Sequence, residues 1–270
     1  MTSISSMLRD RLLDAELGAH LWLLIEARVP LLVAAPAGSD AGATLTSLLQ
    51  FLPPDVDQVT LRGAAETFDW LPQATDLGWP GVARAPRGTQ GRAGHSVILA
   101  PTFSADDPAH AWGPAARVAV RAASIGYGLA ATIEATSLDE VFEALRQPPV
   151  GLVDDELSHL GLVVVLGRND SGDARVVAAH YVRPIVRDTH GHLQRLGPAV
   201  LATWDAATDG FEHFGWGVIP ELARRTNRPA GDHEIEVDRR ADYLTGLVRA
   251  GILDPPAVQT AIRAYRPAGV

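Results

Sequence analysis

Residues 37–44 have the spacing of a phosphate-binding loop. The apolar run at 31–35 is typical of a buried strand, small residues follow it, and 43–52 have the apolar spacing of a helix. A strand, a small-residue turn and a helix can together hold an anion, because backbone N–H groups and a helix N-terminus point at it. The working pattern of such a loop is G-x-x-x-x-G-K-[ST].

The window keeps only part of that pattern. Gly42 and Thr44 match the second glycine and the hydroxyl, whereas Ala37 replaces the first glycine and Ala43 replaces the lysine. Asp40 places an acid inside the loop, where it would repel a polyphosphate. The spacing of a nucleotide site is present, and its chemistry has been lost.

The candidate contacts of such a weakened phosphate site are Gly38, Ser39, Gly42 and Thr44, and the Thr44 hydroxyl could also bind Mg²⁺. The competing interpretation is a plain connection between a strand and a helix, in which a hydroxyl at this position only caps the helix. We favour the plain connection.

The chain contains no lysine, since all 23 basic residues are arginine. Lysine supplies the compact ammonium that a phosphate-binding loop places on the β- and γ-phosphates. The planar guanidinium of arginine fits that role poorly. No other part of this chain can therefore restore the missing ammonium.

Composition excludes several classes of protein. The net charge of −9 argues against a general nucleic-acid binder, and the absence of cysteine excludes disulfides and thiolate metal sites. No apolar run approaches the ~18 residues of a membrane span, and the N-terminus has no signal-peptide pattern. We expect a soluble cytoplasmic protein that does not insert into membranes.

The elements that would position the loop alternate between strand and helix up to about residue 150, which predicts an α/β core. Strands are predicted at 31–35, 58–61, 96–100 and 128–133. A hairpin at 162–166 and 175–186 and a strand at 199–204 follow, then helices at 217–225, 233–250 and 256–265. The sequence therefore predicts a core at 1–150, and at 151–270 a β-hairpin extension and C-terminal helices on the same unit.

Segments along nearly the whole chain resemble, in order and spacing, the C-terminal RecA-like motor domain of one family. That family is the hexameric motor ATPases of type II/IV secretion, type IV pili and archaeal flagella. The similar segments are AHLWLLIE (19–26), QFLPP (50–54), ATIEATS (131–137), LATWD (201–205), DGFE (209–212), RRADYL (239–244) and GILD (251–254). The resemblance implies a RecA-like P-loop core.

Most of the family's functional residues are replaced in this chain. The lysine position holds Ala43, the Walker-B glutamate falls at Pro101, and the histidine of the T-[IL]-H-A box is Glu134. Of the acidic box after the second strand only Glu66 remains, and Arg84 lies near the family's charge-sensing arginine. The loss of these groups together removes the positioning and charge stabilisation of phosphoryl transfer.

The resemblance therefore implies a catalytically degenerate motor paralogue without a cofactor, acting as a structural or regulatory subunit of a secretion or pilus machine. The implied partners are an active secretion or pilus ATPase, an inner-membrane platform protein, or further copies of the chain, with no nucleic acid. Through such a partner the chain would sit at the inner face of the membrane. The alternatives are a divergent NTPase that retains weak ATP/Mg²⁺ binding, in which Glu66 and Glu134 replace lost acids, and an adaptor unrelated to nucleotide.

Two other groups of residues are candidates with simpler explanations. Asp188, His190 and His192 are close enough in sequence for a metal site, but the H-G-H run is typical of a hairpin turn. The aromatic residues of the extension are expected to pack against the tail rather than to line a ligand pocket; they are Trp204, Phe211, Phe214 and Trp216.

Overall fold

The computed structural model describes residues 2–81, 91–187 and 192–266. The helices are α1 (Ile4–Arg9), α2 (Ala15–Glu26), α3 (Ala41–Leu48), α4 (Pro114–Ala123), α5 (Leu138–Arg146), α6 (Asp154–Leu157), α7 (Ile219–Arg225), α8 (Ala230–Arg249) and α9 (Pro255–Ala264). The strands are β1 (Leu31–Ala35), β2 (Asp57–Thr60), β3 (Ser96–Phe103), β4 (Gly128–Glu134), β5 (Leu162–Arg168), β6 (Ala174–Tyr181), β7 (Val186–Arg187), β8 (Leu193–Gln194), β9 (Ala199–Asp205) and β10 (Gly210–His213).

Eight of these strands form one mixed sheet in the order β10-β9-β6-β5-β1-β4-β3-β2. The five strands from β5 to β2 are parallel, and β6, β9 and β10 extend the sheet with antiparallel pairs. Helices cover the parallel part on both faces, and α7 to α9 form a helical C-terminal region. The predicted α/β fold, with a β-hairpin extension and a helical tail, is confirmed.

The core strand β1 is buried at all five positions. Its side chains alternate between two clusters: Leu31, Val33 and Ala35 belong to one, and Leu32 and Ala34 to the other. The first cluster includes side chains of α1 to α3 and α7 to α9, and the second includes α4 to α6 and the segment 61–74. A strand buried on both faces explains why the sequence there is a continuous apolar run.

Most predicted element boundaries are close to the observed ones, but the predicted strand 175–186 is divided into β6, which ends at Tyr181, and β7, which begins at Val186. Residues 4–28 contain two helices, because Asp14 caps α2 by accepting the backbone N–H of Leu17. The 160–204 region pairs antiparallel as expected, and β10 and the short ribbon of β7 and β8 were not predicted. The division of the chain at residue 150 stays a prediction.

The tail is attached to the core through the buried side chain of Arg240 on α8. Its guanidinium lies 2.6 Å from a carboxylate oxygen of Glu26 and 2.9 Å from one of Glu236. It also stacks over the rings of Trp22, at 4.6 Å, and Tyr265, at 5.5 Å. One cation thus joins α2, α8 and the end of α9.

We expect Arg240→Met to lower the free energy of unfolding by about 3 kcal/mol or more, because Glu236 would remain buried without a compensating charge. Urea denaturation followed by circular dichroism measures this change. The matched control is Arg263→Met on α9, where the arginine is exposed and a change near zero is expected. Equal losses in the two variants would contradict a special role for Arg240.

Two buried histidines, His20 and His233, make stability sensitive to acid. Burial lowers the pKa of His20 from 6.5 to about 4, and the neighbouring charges of His233 and His213 act in the same direction. Burial, together with Arg228 and Arg240, lowers the pKa of His233 to about 4. One ring nitrogen of each has no hydrogen-bond partner among the residues that the structure describes, and the ring centroids lie 6.0 Å apart.

We therefore expect the free energy of unfolding to fall as the pH drops from 6.5 towards 4, since only the unfolded chain gains protons in that window. His213 acts oppositely: burial lowers its pKa, but its contact with Asp14 outweighs this and raises the pKa. Urea titrations at several pH values should show a flatter profile for His20→Leu than for the wild type. The exposed His95→Gln variant should keep the wild-type profile.

Candidate functional site

The loop after β1 is a tight turn. The N–H of Ser39 donates to the carbonyl of Pro36 at 3.1 Å, and Gly38 adopts a φ of +72°, which favours glycine. Gly38 is exposed and Ser39 is half-buried. Helix α3 begins at Ala41, close to the start near Gly42 that the sequence predicts.

Asp40 is the N-cap of α3. Its side-chain oxygen accepts the backbone N–H of Ala43 at 3.0 Å, and its carbonyl accepts the N–H of Thr44 at 3.3 Å. The N–H of Ala43 belongs to the helix N-terminus that would face a phosphate. Asp40, which we expected to repel a polyphosphate, therefore also accepts an N–H group that a phosphate at this position would need.

Thr44 lies inside the first turn of α3 and is 5% exposed. Its hydroxyl lies 3.4 Å from the carbonyl oxygen of Asp40, to which it donates. This contact is within the helix and does not cap its N-terminus. Gly42 is exposed, and an added Cβ there would meet no atom within 4 Å.

The space beside the loop is a small pocket of ≈ 210 Å³. Its wall includes Ser39, Asp40, Ala43 and Thr44 from the loop and Arg168 from the end of β5. Pockets that hold drug-sized ligands usually enclose ~300–1,000 Å³. The pocket is therefore smaller than a nucleoside triphosphate would need.

Glu66 is buried in the turn that follows β2. Its carboxylate accepts the backbone N–H groups of Arg62 at 3.0 Å, Thr67 at 2.9 Å and Phe68 at 2.7 Å, and the Arg62 guanidinium lies 3.4 Å away. Because β4 and β3 separate β2 from β1, the two strands are ~14 Å apart at ~4.8 Å per strand. The carboxylate is thus engaged in holding its own turn, away from the loop.

The residues at the family's histidine and Walker-B positions lie near the carboxyl ends of neighbouring strands. Glu134 ends β4 beside Ala35 of β1 and is exposed. Pro101 lies in β3, and its carbonyl accepts the hydroxyl of Thr132 at 2.7 Å. Proline offers neither an acid nor an N–H at this place.

Three of the candidate residues, Arg84, Asp188 and His190, lie outside the described ranges. His192 is described and exposed. Within 2–81, 91–187 and 192–266, no group of three or more histidine, cysteine, aspartate or glutamate residues could hold a metal ion.

The aromatic residues of the extension have different surroundings. The indole N–H of Trp204 donates to Asp209 at 3.0 Å. Phe211 packs against the first core cluster and also lines a pocket of ≈ 330 Å³ with Thr245 and Val248 of α8, a lining role that was not expected. Trp216 is 76% exposed, so it does not pack against the tail as expected.

Comparison of the sequence with protein-family models and with curated proteins gives no match. Among solved structures, the chain is similar to the X-ray structure of the ATPase DotB of Yersinia pseudotuberculosis, with 13% sequence identity and a TM-score of 0.36. The match covers 95% of this chain and 62% of DotB, so the chain spans less than two thirds of that protein's length. A likeness of this size says nothing about activity. The fold of this chain is defined by its own strand order, β10-β9-β6-β5-β1-β4-β3-β2.

No helix in the described part of the chain is long and apolar enough to cross a membrane.

We expect Asp40→Ala to lower the free energy of unfolding by about 1 kcal/mol, because the N–H of Ala43 would lose its acceptor. Asp40→Asn should keep most of the stability, since an amide oxygen can accept the same N–H. Urea denaturation measures both variants. Asp170→Ala, in an exposed hairpin turn, is the control with no expected change; an effect of Asp40→Ala no larger than this control would contradict the capping role.

Proposed function

We propose that this chain is a non-hydrolysing subunit with a motor-ATPase-like fold, acting as a structural or regulatory component of a secretion or type IV pilus-like machine. The observation that carries the proposal is the hydrogen bond from the N–H of Ala43 to Asp40. The chain's own carboxylate occupies a donor that a phosphate would use, at the position where the family pattern has a lysine.

The residues at three of the family's catalytic positions differ in this chain from those that phosphoryl transfer uses. Ala43 stands at the lysine position and has no ammonium group. Pro101 stands at the Walker-B position and has no carboxylate, and Glu134 is an acid where the family has a histidine. Glu66, the acid that remains after β2, is held by three backbone N–H groups. Loss of a single transition-state contact typically raises the barrier by about 3 kcal/mol, and the effects of several losses are not additive.

Without turnover, such a subunit would contribute through binding to other proteins. The partners we propose are an active secretion or pilus ATPase or an inner-membrane platform protein, with further copies of the chain as an additional contact. The chain would then work in the cytoplasm and reach the inner face of the membrane through its partner. A net charge of −9 supports protein partners over nucleic acid.

We expect millimolar ATP with Mg²⁺ to leave the melting temperature of the wild type unchanged, because a ligand stabilises only when its concentration exceeds its dissociation constant. The missing ammonium alone weakens phosphate binding roughly ten- to a hundredfold. Purified protein should also release no phosphate above buffer.

The double variant Asp40→Gly with Ala43→Lys should gain an ATP-dependent rise in melting temperature. Glycine is chosen because it costs a helix cap only a few tenths of a kcal/mol relative to aspartate. Each single variant is the matched control and should respond less than the double variant. If the wild type already responds to ATP, the divergent NTPase that retains weak ATP/Mg²⁺ binding replaces this proposal. If ATP does not raise the melting temperature of the double variant, the loop is not a degenerate phosphate site.

A further inference from the structure

A second pocket lies where β2 and β3 end, at the edge of the sheet where open α/β sheets bind ligands. It encloses ≈ 400 Å³, within the range of known ligand sites and about twice the volume beside the phosphate-loop position. Its walls are rich in two kinds of ring: Trp79 and Trp112, and Pro80, Pro108, Pro114 and Pro149.

The wall of this pocket, which we call the Trp/Pro pocket, is held rigidly. Gly63 has a φ of +58°, and a Cβ there would lie 2.2 Å from the carbonyl oxygen of Pro108, so the turn requires glycine. The same carbonyl accepts the N–H of Ala64 at 2.7 Å. Arg117 donates to the carbonyl of Pro149 at 2.8 Å. A ligand would therefore meet a formed surface and would not have to order it.

Some polar groups of the Trp/Pro pocket form hydrogen bonds within the chain, and others do not. The carbonyls of Pro108 and Pro149 are the acceptors just described, and one carboxylate oxygen of Asp107 accepts a backbone N–H at 2.8 Å. In contrast, the indole N–H groups of Trp79 and Trp112 have no acceptor in the described part of the chain. Both tryptophans are half-buried, so part of each side chain is exposed to solvent. The pocket therefore contains two indole donors that no residue of the described chain accepts. Its lining also holds the second carboxylate oxygen of Asp107 and the Nδ1 atom of His110, which is buried and has no partner among the described residues.

We propose that the Trp/Pro pocket binds a proline-rich segment of a partner protein. A proline residue supplies a carbonyl acceptor but no N–H, which matches a wall with unused donors. Proline-rich chains form the polyproline II helix, whose carbonyls make no internal hydrogen bonds and are free to accept. Such helices dock in grooves lined by aromatic side chains, at low entropic cost.

This proposal does not depend on the state of the phosphate-loop position. The two sites use different residues, and β2 and β3 lie on the far side of β4 from β1. Binding of a proline peptide can therefore fail while the loop remains nucleotide-free, and the reverse can also occur.

The test is titration of the full chain with a short polyproline peptide blocked at both ends, followed by tryptophan fluorescence and calorimetry. A blocked glycine-serine peptide of equal length is the control ligand. Saturable binding of the proline peptide alone supports the proposal. No saturable binding, or equal binding of the glycine-serine peptide, overturns it.

Variants locate the binding. Trp112→Phe and Trp79→Phe keep a ring but remove the N–H, and each should weaken peptide binding about five- to tenfold, the effect of one hydrogen bond. Trp216→Phe changes an exposed tryptophan that does not line the pocket and should leave binding unchanged. Melting temperatures close to the wild type would show that the variants are folded. Equal weakening by Trp216→Phe, or binding of free indole-sized aromatic compounds but not of the peptide, would falsify the proposal.

Discussion

The burial of β1 on both faces is the constraint on which the rest of the structure depends. A parallel strand in the middle of a sheet has no face for water, so each side of Leu31–Ala35 must be covered by other elements. The N-terminal and C-terminal helices cover one side, and α4 to α6 cover the other. The turn that follows β1 is therefore fixed at the carboxyl edge of the sheet, and the position of Asp40 follows from that burial.

The elements that could be predicted are those whose burial produces a pattern of apolar residues in the sequence. The apolar run at 31–35 predicted β1 with its observed bounds, and the predicted hairpin strand 162–166 lies within β5. The second predicted hairpin strand, 175–186, was too long, since β6 ends at Tyr181. Strand β10 was not predicted, because the edge strand Gly210–His213 is short and half exposed and pairs only with β9. The Trp/Pro pocket could not be predicted either, since residues from 63 to 149 meet there only after the sheet forms.

Asp40 shows why a candidate site is harder to read than a fold. An acid in such a loop repels a bound phosphate if its side chain faces the ligand. It caps the helix if its side chain instead accepts the backbone N–H of the residue three positions later. Both interpretations use the same residue types and spacing. The backbone at Asp40 decides between them, and in this chain its side chain reaches Ala43. The preference for aspartate at N-caps was the available signal.

The carboxyl edge of the sheet carries two different kinds of turn. The carboxyl edge of a parallel sheet collects the ends of its strands whatever the loops contain, so it can offer a concave surface at more than one place. Here the turn after β1 is closed by its own hydrogen bonds, and the space beside it is small. The turns after β2 and β3 instead enclose a larger, ring-lined pocket, and Glu66 stabilises the first of those turns. Glu66, which the family resemblance associates with nucleotide chemistry, thus helps in this chain to hold a turn that forms part of the wall of the Trp/Pro pocket.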